Sequence, residues 1–323
     1  MPRRRIVYLA DTMVQAQMLT CLRRSFDVTL VTPRSLGDAA TTFRPGDDPD
    51  LGRLECVELP GGRAGFPLRA ARWLRRHRRR HDAVVVLDAL SAALGANLGR
   101  ALGGPPVVLQ VGRPVVEYID CAIRQHGPTP GLRLRRRVAR WLIAFNEGAA
   151  AGVGTVSEYL AKRSANVGAT AIHWQGVDLD RFHPGIDQME ARRVLGLPLD
   201  RPIVLWRSRL APEKDLETFL DAVRLLRAVG LDVCPVVMGG EMDEVRARAA
   251  AYGVEILGRN ASSPDEIPLW YAAADVKVQT SHAEGLGLSV LEALACGRPV
   301  VVTDTGGLPE LSLIHISEPT RPY

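Results

Sequence analysis

The chain is predicted to be an α/β protein with two parallel sheets in series, and three observations carry that expectation. Short β-branched runs alternate with helix-length amphipathic stretches along all 323 residues. A content of 46% hydrophobic residues over this length suits two domains of ordinary size. No apolar run approaches the ~20 residues of a membrane span.

In the first half, residues 6–9, 28–31, 83–87, 107–110 and 152–156 read as strands. In the second, 203–206, 233–238, 254–257, 276–279 and 300–303 do. Between them lie WQGVDLDRFHPG (174–185), a helix containing 189–195 and a proline-bounded turn at 198–202. The boundary is placed at Pro184, giving Rossmann-like domains over 1–184 and 185–310. Ligands of such a layout sit outside the carboxyl ends of the strands, in a cleft between sheets.

The net charge of +5 hides an asymmetry. Residues 1–184 hold 27 Lys and Arg against 16 Asp and Glu, whereas 185–323 hold 14 against 20. The excess is concentrated in two helical stretches, 69–80 (RAARWLRRHRRR) and 133–140 (RLRRRVAR). On the second, Leu134, Val138, Trp141, Leu142 and Phe145 form one stripe with a basic face opposite. With 5% aromatic residues and no nucleic-acid motif, nucleic acid is not expected as a partner. An anionic membrane surface, or an acidic or lipid-linked acceptor, fits better, with solvated arginine as the plain alternative. The N-terminus, MPRRRIVYLAD, has only a strand-length apolar stretch and does not read as a signal peptide. Five scattered cysteines without metal spacing suit a reducing cytoplasm and buried small hydrophobes.

Residues 281–310, SHAEGLGLSVLEALACGRPVVVTDTGGLPE, carry the chemistry. A strand ending near Thr280 leads into a loop with Glu284, then a turn made by Gly285, Leu286 and Gly287. The spacing predicts a helix over 288–296, stopped by Gly297, with Glu292 just over a turn inside it. Two carboxylates beside a helix start rich in free N–H groups suit a ligand with both hydroxyls and phosphate. A bare Glu-x7-Glu pair would more often be a helix-dipole cap and a solvated side chain. The glycines and the strand that follows reverse that balance.

This segment resembles the donor-site signature of the retaining family 4 glycosyltransferases (glycosyl transferases group 1), which have the GT-B fold. Their pattern is a Glu-Gly-aromatic-Gly turn, a second Glu, a Gly-x-Pro-Val-Val strand and a Gly-Gly-x-Pro-Glu turn; here Leu286 replaces the aromatic. The resemblance implies two Rossmann-like domains with parallel sheets facing across a cleft. It also implies that Glu284 holds donor-sugar hydroxyls and Glu292 the ribose. GVGTVSEYL (152–160) and QGVDLDRFHP (175–184) are similar to the family's run into its interdomain linker, with Gln175 where Asn is common. RSRLAPEKDLETFLDAVRLL (207–226) resembles the opening of the donor domain, where Arg209 and Lys214 would bind the diphosphate and Ser208 stands in place of a glycine. The nucleotide base would meet backbone near Gly258 and Arg259. Lys214 has independent support: only three of 41 basic residues are lysine, namely Lys162, Lys214 and Lys277. Trp270 and Tyr271 read as packing residues, and His282 as a loop residue.

The first half matches less well. The family's Gly-Gly loop after the first strand is replaced by ADTMVQAQ (10–17). The histidine expected after 107–110 is replaced by VGRPVVEY (111–118), so Arg113 or Asp88 would take part of that role. The last residues, LSLIHISEPTRPY (311–323), leave the family pattern and resemble translated sequencing-adapter DNA. The natural sequence is therefore expected to stop near Glu310, leaving the second domain incomplete and 311–323 a non-native tail.

The resemblance implies a retaining, metal-independent hexosyltransferase. It would move sugar from a nucleoside diphosphate donor, a substrate rather than a cofactor, to a hydroxyl acceptor, with cytoplasmic or peripheral-membrane placement. Two rivals are carried: a GT-B sugar-nucleotide epimerase, and a sugar-nucleotide-binding protein without catalysis.

Overall fold

The computed structural model describes residues 3–11, 16–34, 54–260 and 263–315. Most of the glycine-free loop after the first strand (12–15) and the tail beyond 315 lie outside them. The chain divides into two compact units, Met1–Arg113 with Arg133–His173, and Pro114–Leu132 with Trp174–Tyr323. The division after His173 falls upstream of Pro184, and a segment of the first half is counted with the second unit.

The first unit runs β1 (Arg4–Leu9), α1 (Ala16–Ser25), β2 (Phe26–Pro33), β3 (Glu55–Leu59), α2 (Phe66–Arg76), β4 (Ala83–Leu87), α3 (Ser91–Ala101) and β5 (Val107–Val111). After α4 (Val115–His126), which belongs to the second unit, come α5 (Pro130–Ala149), β6 (Gly152–Thr155), α6 (Glu158–Ala161) and β7 (Thr170–Ile172). The sheet is parallel, in the order β3-β2-β1-β4-β5-β6-β7. Its central strands are buried on both faces. Val7, Leu9, Val84, Val86 and Leu109 face one cluster, and Ile6, Tyr8, Leu30 and Leu87 the other. Near-continuous apolar strands of this kind are what a doubly covered parallel sheet requires. The edge strands β3 and β7 were not expected from the sequence. ECVEL and TAI are too mixed to read as buried strands, and most of their residues are solvent-facing.

The second unit continues with α7 (Gln188–Leu195), β8 (Ile203–Arg207), α8 (Leu216–Ala228), β9 (Cys234–Met238), α9 (Met242–Ala251), α10 (Ile267–Ala273), β10 (Val276–Gln279), α11 (Leu288–Ala295), β11 (Val300–Val302) and α12 (Leu308–His315). Its parallel sheet has the order β11-β10-β8-β9. Caps explain the helix limits. Asp187 accepts from Glu190 N–H to start α7, and Gly196 at φ 67° ends it. The buried Arg192 clamps α7 to the end of α10. It donates to the Ala273 carbonyl at 2.9 Å and pairs with Asp275 at 2.6 Å.

Two expectations need correction. The strand over 254–257 is not formed. Val254 N–H donates to Ala249 and closes α9, which leaves a single bridge between Leu257 and Val236. Of the cysteines, Cys121, Cys234 and Cys296 are buried, but Cys21 and Cys56 are exposed, the latter on edge strand β3.

That bridge sets Gly258 against β9 at φ +132°, where an added Cβ would overlap the Val237 carbonyl. Gly258→Ala is expected to cost roughly 2–4 kcal/mol in denaturant unfolding. Gly148→Ala, exposed near the end of α5 with no atom within 4 Å of the new methyl, should instead stabilise by about 0.5 kcal/mol. Equal effects would contradict the close approach at Gly258.

Candidate functional site

In the second unit the strand order reverses at β8, which has β9 on one side and β10 on the other. Such a switch point opens a crevice outside the carboxyl ends of the strands. The loops leaving β8 and β10 carry the residues the sequence singled out.

After β8 the chain makes a one-turn 3-10 segment, Pro212–Lys214, and Asp215 at φ 49° then caps α8 by accepting from Thr218 N–H. The turn is fixed from β10. Thr280 Oγ1 donates to the Asp215 carbonyl at 2.6 Å and accepts from Trp206 Nε1 at 3.1 Å. His282 N–H donates to the Glu213 carbonyl at 2.8 Å, and its ring lies 3.2 Å from the Asp215 carboxylate. Lys214 is thereby brought against Glu284, and its Nζ pairs with Glu284 Oε1. Both side chains are about nine-tenths buried. The same oxygen accepts from Gln279 Nε2 at 3.0 Å and Ser281 Oγ at 3.1 Å.

Glu292 sits in α11, which spans Leu288–Ala295 much as the spacing predicts. Its Oε2 accepts from Arg207 Nη1 at 2.8 Å and from the Tyr271 hydroxyl at 2.7 Å; Arg207 also donates to that hydroxyl at 2.8 Å. Burial, reinforced by Glu292, holds the Tyr271 phenol well above its ordinary range despite Arg207. Burial opposes the Arg207 charge, but Tyr271 and Glu292 together outweigh it and raise that pKa. Arg207 and Tyr271 are therefore candidate-site residues that sequence reasoning missed. Tyr271 is packed as expected, yet its hydroxyl faces the carboxylate.

Around both carboxylates the glycines have steric work. Gly306, at φ +60°, lies against the Glu284 carbonyl so closely that an added Cβ would overlap it, and Gly307 N–H donates to that carbonyl at 3.2 Å. The Gly-Gly turn is thus a platform under the Glu284 loop. Gly285, Leu286 and Gly287 form the turn above α11. Leu286 is buried, which suits an apolar residue in place of an aromatic one. Gly287 caps α11 with no side-chain hydrogen bond, which leaves its first N–H groups for a ligand.

Arg209 is 68% exposed in its side chain and pairs with the buried Glu213 at 3.0 Å. Ser208 fits without left-handed backbone; that conformation falls on Gly239 and Gly240, which pack on Ser208 and Leu210. Arg259 pairs with Glu266, and its guanidinium lies 5.6 Å from the Trp270 ring. Gly258 stands beside it, packed against Val237 of β9. In the first unit Asp88, at φ 62°, accepts from Arg113 Nε at 2.9 Å. The two residues expected at those strand ends therefore pair with each other.

A third missed residue is Lys277. It is fully buried on β10 and donates to Gln279 Oε1 and to the Val278 carbonyl at 3.3 Å. Its signal was present, as a lysine within the apolar run VKV of a chain with three lysines.

Removing one partner of a buried pair leaves an uncompensated charge. Lys214→Met is expected to lower unfolding free energy by about 3 kcal/mol, with most of it recovered in Lys214→Met/Glu284→Gln. Additive losses in denaturant melts would show that the pair does not couple.

The geometry can be set beside known proteins. The family model described as Glycosyl transferases group 1 matches residues 187–312, and that described as Glycosyl transferase 4-like domain matches residues 12–177. A D-inositol 3-phosphate glycosyltransferase of Streptomyces bingchenggensis is 38% identical over 152 residues, which is 43% of this chain and 33% of that protein. The match thus spans about a third of that relative's length. Among solved structures, sucrose-phosphate synthase from Thermosynechococcus elongatus aligns with a TM-score of 0.70 at 19% identity, over 95% of this chain and 82% of that one. Anabaena HepE in complex with UDP and glucose aligns with a TM-score of 0.68 at 17% identity, over 96% and 83%. At such identities the likeness is one of fold. With the two family models covering most of both units and the paired carboxylates inside the first of them, the chain belongs to the group 1 glycosyl transferases.

Proposed function

We propose that this chain is a retaining glycosyltransferase that moves a hexosyl group from a nucleoside diphosphate sugar to a hydroxyl acceptor, with protein cations rather than a metal at the diphosphate. One observation carries the reading. On each carboxylate the donors among the described residues converge on a single oxygen, Oε1 of Glu284 and Oε2 of Glu292. The other oxygen of each is left to accept from a ligand hydroxyl, the donor sugar at Glu284 and the ribose at Glu292.

Lys214 uses one of its three N–H donors on Glu284, so two remain for a phosphate oxygen. Arg209 offers an exposed guanidinium fork, and the start of α11 offers uncapped N–H groups. These groups would stabilise the charge that builds on the departing diphosphate. The bond from anomeric carbon to phosphate oxygen breaks and the acceptor oxygen bonds on the same face, its proton passing to the leaving phosphate. Glu284 and Glu292 are both charge-compensated by cations, and in this reading they bind donor hydroxyls rather than attack the anomeric carbon. The UDP of the HepE complex and the polyol named for the Streptomyces relative make UDP-sugars and polyol acceptors the first to try.

The first unit supplies a membrane reading. No described helix is long and apolar enough to cross a bilayer. Yet α5 is inverted: it buries Asn146 and Glu147 and exposes Leu134, Val138, Trp141 and Phe145. Trp141 and Phe145 stack at 5.4 Å, and Arg133, Arg135, Arg137 and Arg140 on the same helix are exposed. An apolar stripe flanked by arginine fits the surface of an anionic bilayer. Such placement would serve a lipid-linked acceptor.

With labelled donor and an acceptor panel, the wild type should yield product of unchanged anomeric configuration. Arg209→Ala or Lys214→Ala should lower turnover by ~10²-fold. Near wild-type rates would refute their roles. Conversion of donor without acceptor would favour the epimerase, and binding without turnover the non-catalytic protein. The chain should float with phosphatidylglycerol-containing vesicles but not with pure phosphatidylcholine, and Trp141→Ser/Phe145→Ser should abolish flotation. Sedimentation of the wild type away from both vesicles would contradict the membrane contact.

A further inference from the structure

Lys277 stands mid-strand in β10, opposite Leu205 of β8 and Val300 of β11, with no exposed surface. Among the described residues it forms no ion pair; its ammonium meets only the neutral oxygens of Gln279 and Val278. An ammonium so placed carries a desolvation cost that a valine or leucine would not, so packing does not explain it. Its neighbour does. When protonated Lys277 only donates, so it fixes Gln279 with its oxygen inward, where Ser289 Oγ also donates to it at 3.2 Å. The Gln279 amide nitrogen is thereby turned outward, donating to Ser281 Oγ at 2.7 Å and Glu284 Oε1 at 3.0 Å. A flipped amide would set carbonyl oxygen against carboxylate.

We infer that Lys277 is a positioning residue of the donor site, orienting Gln279 so that its amide holds Glu284 with one oxygen turned to the sugar. The inference rests on the donor reading of Glu284. The charges facing Lys277 are Glu284 from the loop, Arg207 from β8, Lys214 from the 3-10 turn and Glu292 from α11. Burial is the largest influence and pulls its pKa from 10.5 to about 7. The folded protein therefore sheds a proton that the unfolded chain keeps between about pH 7 and 10.5. Stability from this group rises with pH across that window, and its full cost is present below pH 7.

The test separates positioning from packing. Affinities of UDP-glucose, UDP-N-acetylglucosamine, GDP-mannose and ADP-glucose are measured by calorimetry against those of the matching nucleoside diphosphates. This is done for the wild type, Lys277→Met and Gln279→Leu, with melting at pH 6 and pH 9. The wild type should bind at least one nucleotide sugar more tightly than its diphosphate. Both variants should lose that sugar increment by ~10-fold while diphosphate affinity holds. Lys277→Met should melt no lower than the wild type, and its relative gain should be larger at pH 6. An unchanged sugar increment in either variant overturns the inference. So does an equal fall for sugar and diphosphate with lowered melting, the mark of a packing role. If Lys277→Met does not fold, Gln279→Leu decides alone. A wild type that binds no nucleotide sugar overturns the donor reading itself, and this inference with it.

Discussion

The Lys214–Glu284 pair is the constraint on which the rest of the second unit's site depends. It joins the loop after β8 to the loop after β10, which beyond the one-turn 3-10 segment Pro212–Lys214 have no regular structure to hold them. Everything near it serves that junction. Thr280 and His282 pin the 3-10 turn, Ser281 and Gln279 donate to the same carboxylate oxygen, and the Gly306–Gly307 turn packs under the Glu284 backbone. Buried ion pairs seldom add net stability over well-packed apolar residues, because desolvation offsets their attraction. A pair kept at this place is better explained by what it presents than by what it stabilises.

Charge is arranged in matched steps along the strand ends. Arg207 meets Glu292, Lys214 meets Glu284, Arg209 meets Glu213, and Lys277 lies behind them with no carboxylate partner among the described residues. The half of the sequence from 185 onward is net acidic, yet cations gather at the switch point of its sheet. Local placement, not net charge, therefore decides what the crevice attracts. In the first unit the excess of arginine does different work, flanking the apolar stripe of α5 that faces solvent.

The central strands were legible because doubly buried parallel strands leave apolar runs that few other structures need. Edge strands β3 and β7 were not, since their residues face water and lose that signature. Residues 254–257 misled in the opposite sense: an apolar run was engaged in closing α9, with a single bridge to β9 in place of a strand. At the candidate site, Glu284, Glu292, Arg209 and Lys214 were picked out because their spacing follows a motif. Arg207, Tyr271, Gln279 and Ser281 could not, because their roles arise from contacts across 3 to 85 positions of sequence. Lys277 was visible only as an oddity of composition. Which face of α5 turns inward was also beyond the helical pattern, since a stripe of that period fits a core as well as a bilayer.

A crystal structure of the protein with a bound nucleotide sugar tests the central claim most directly. The account predicts diphosphate oxygens on Lys214, Arg209 and the first turn of α11, with a sugar hydroxyl on the second oxygen of Glu284 and the ribose on Glu292. A nucleotide bound elsewhere, or one that leaves the Lys214–Glu284 pair untouched and out of reach, would contradict it.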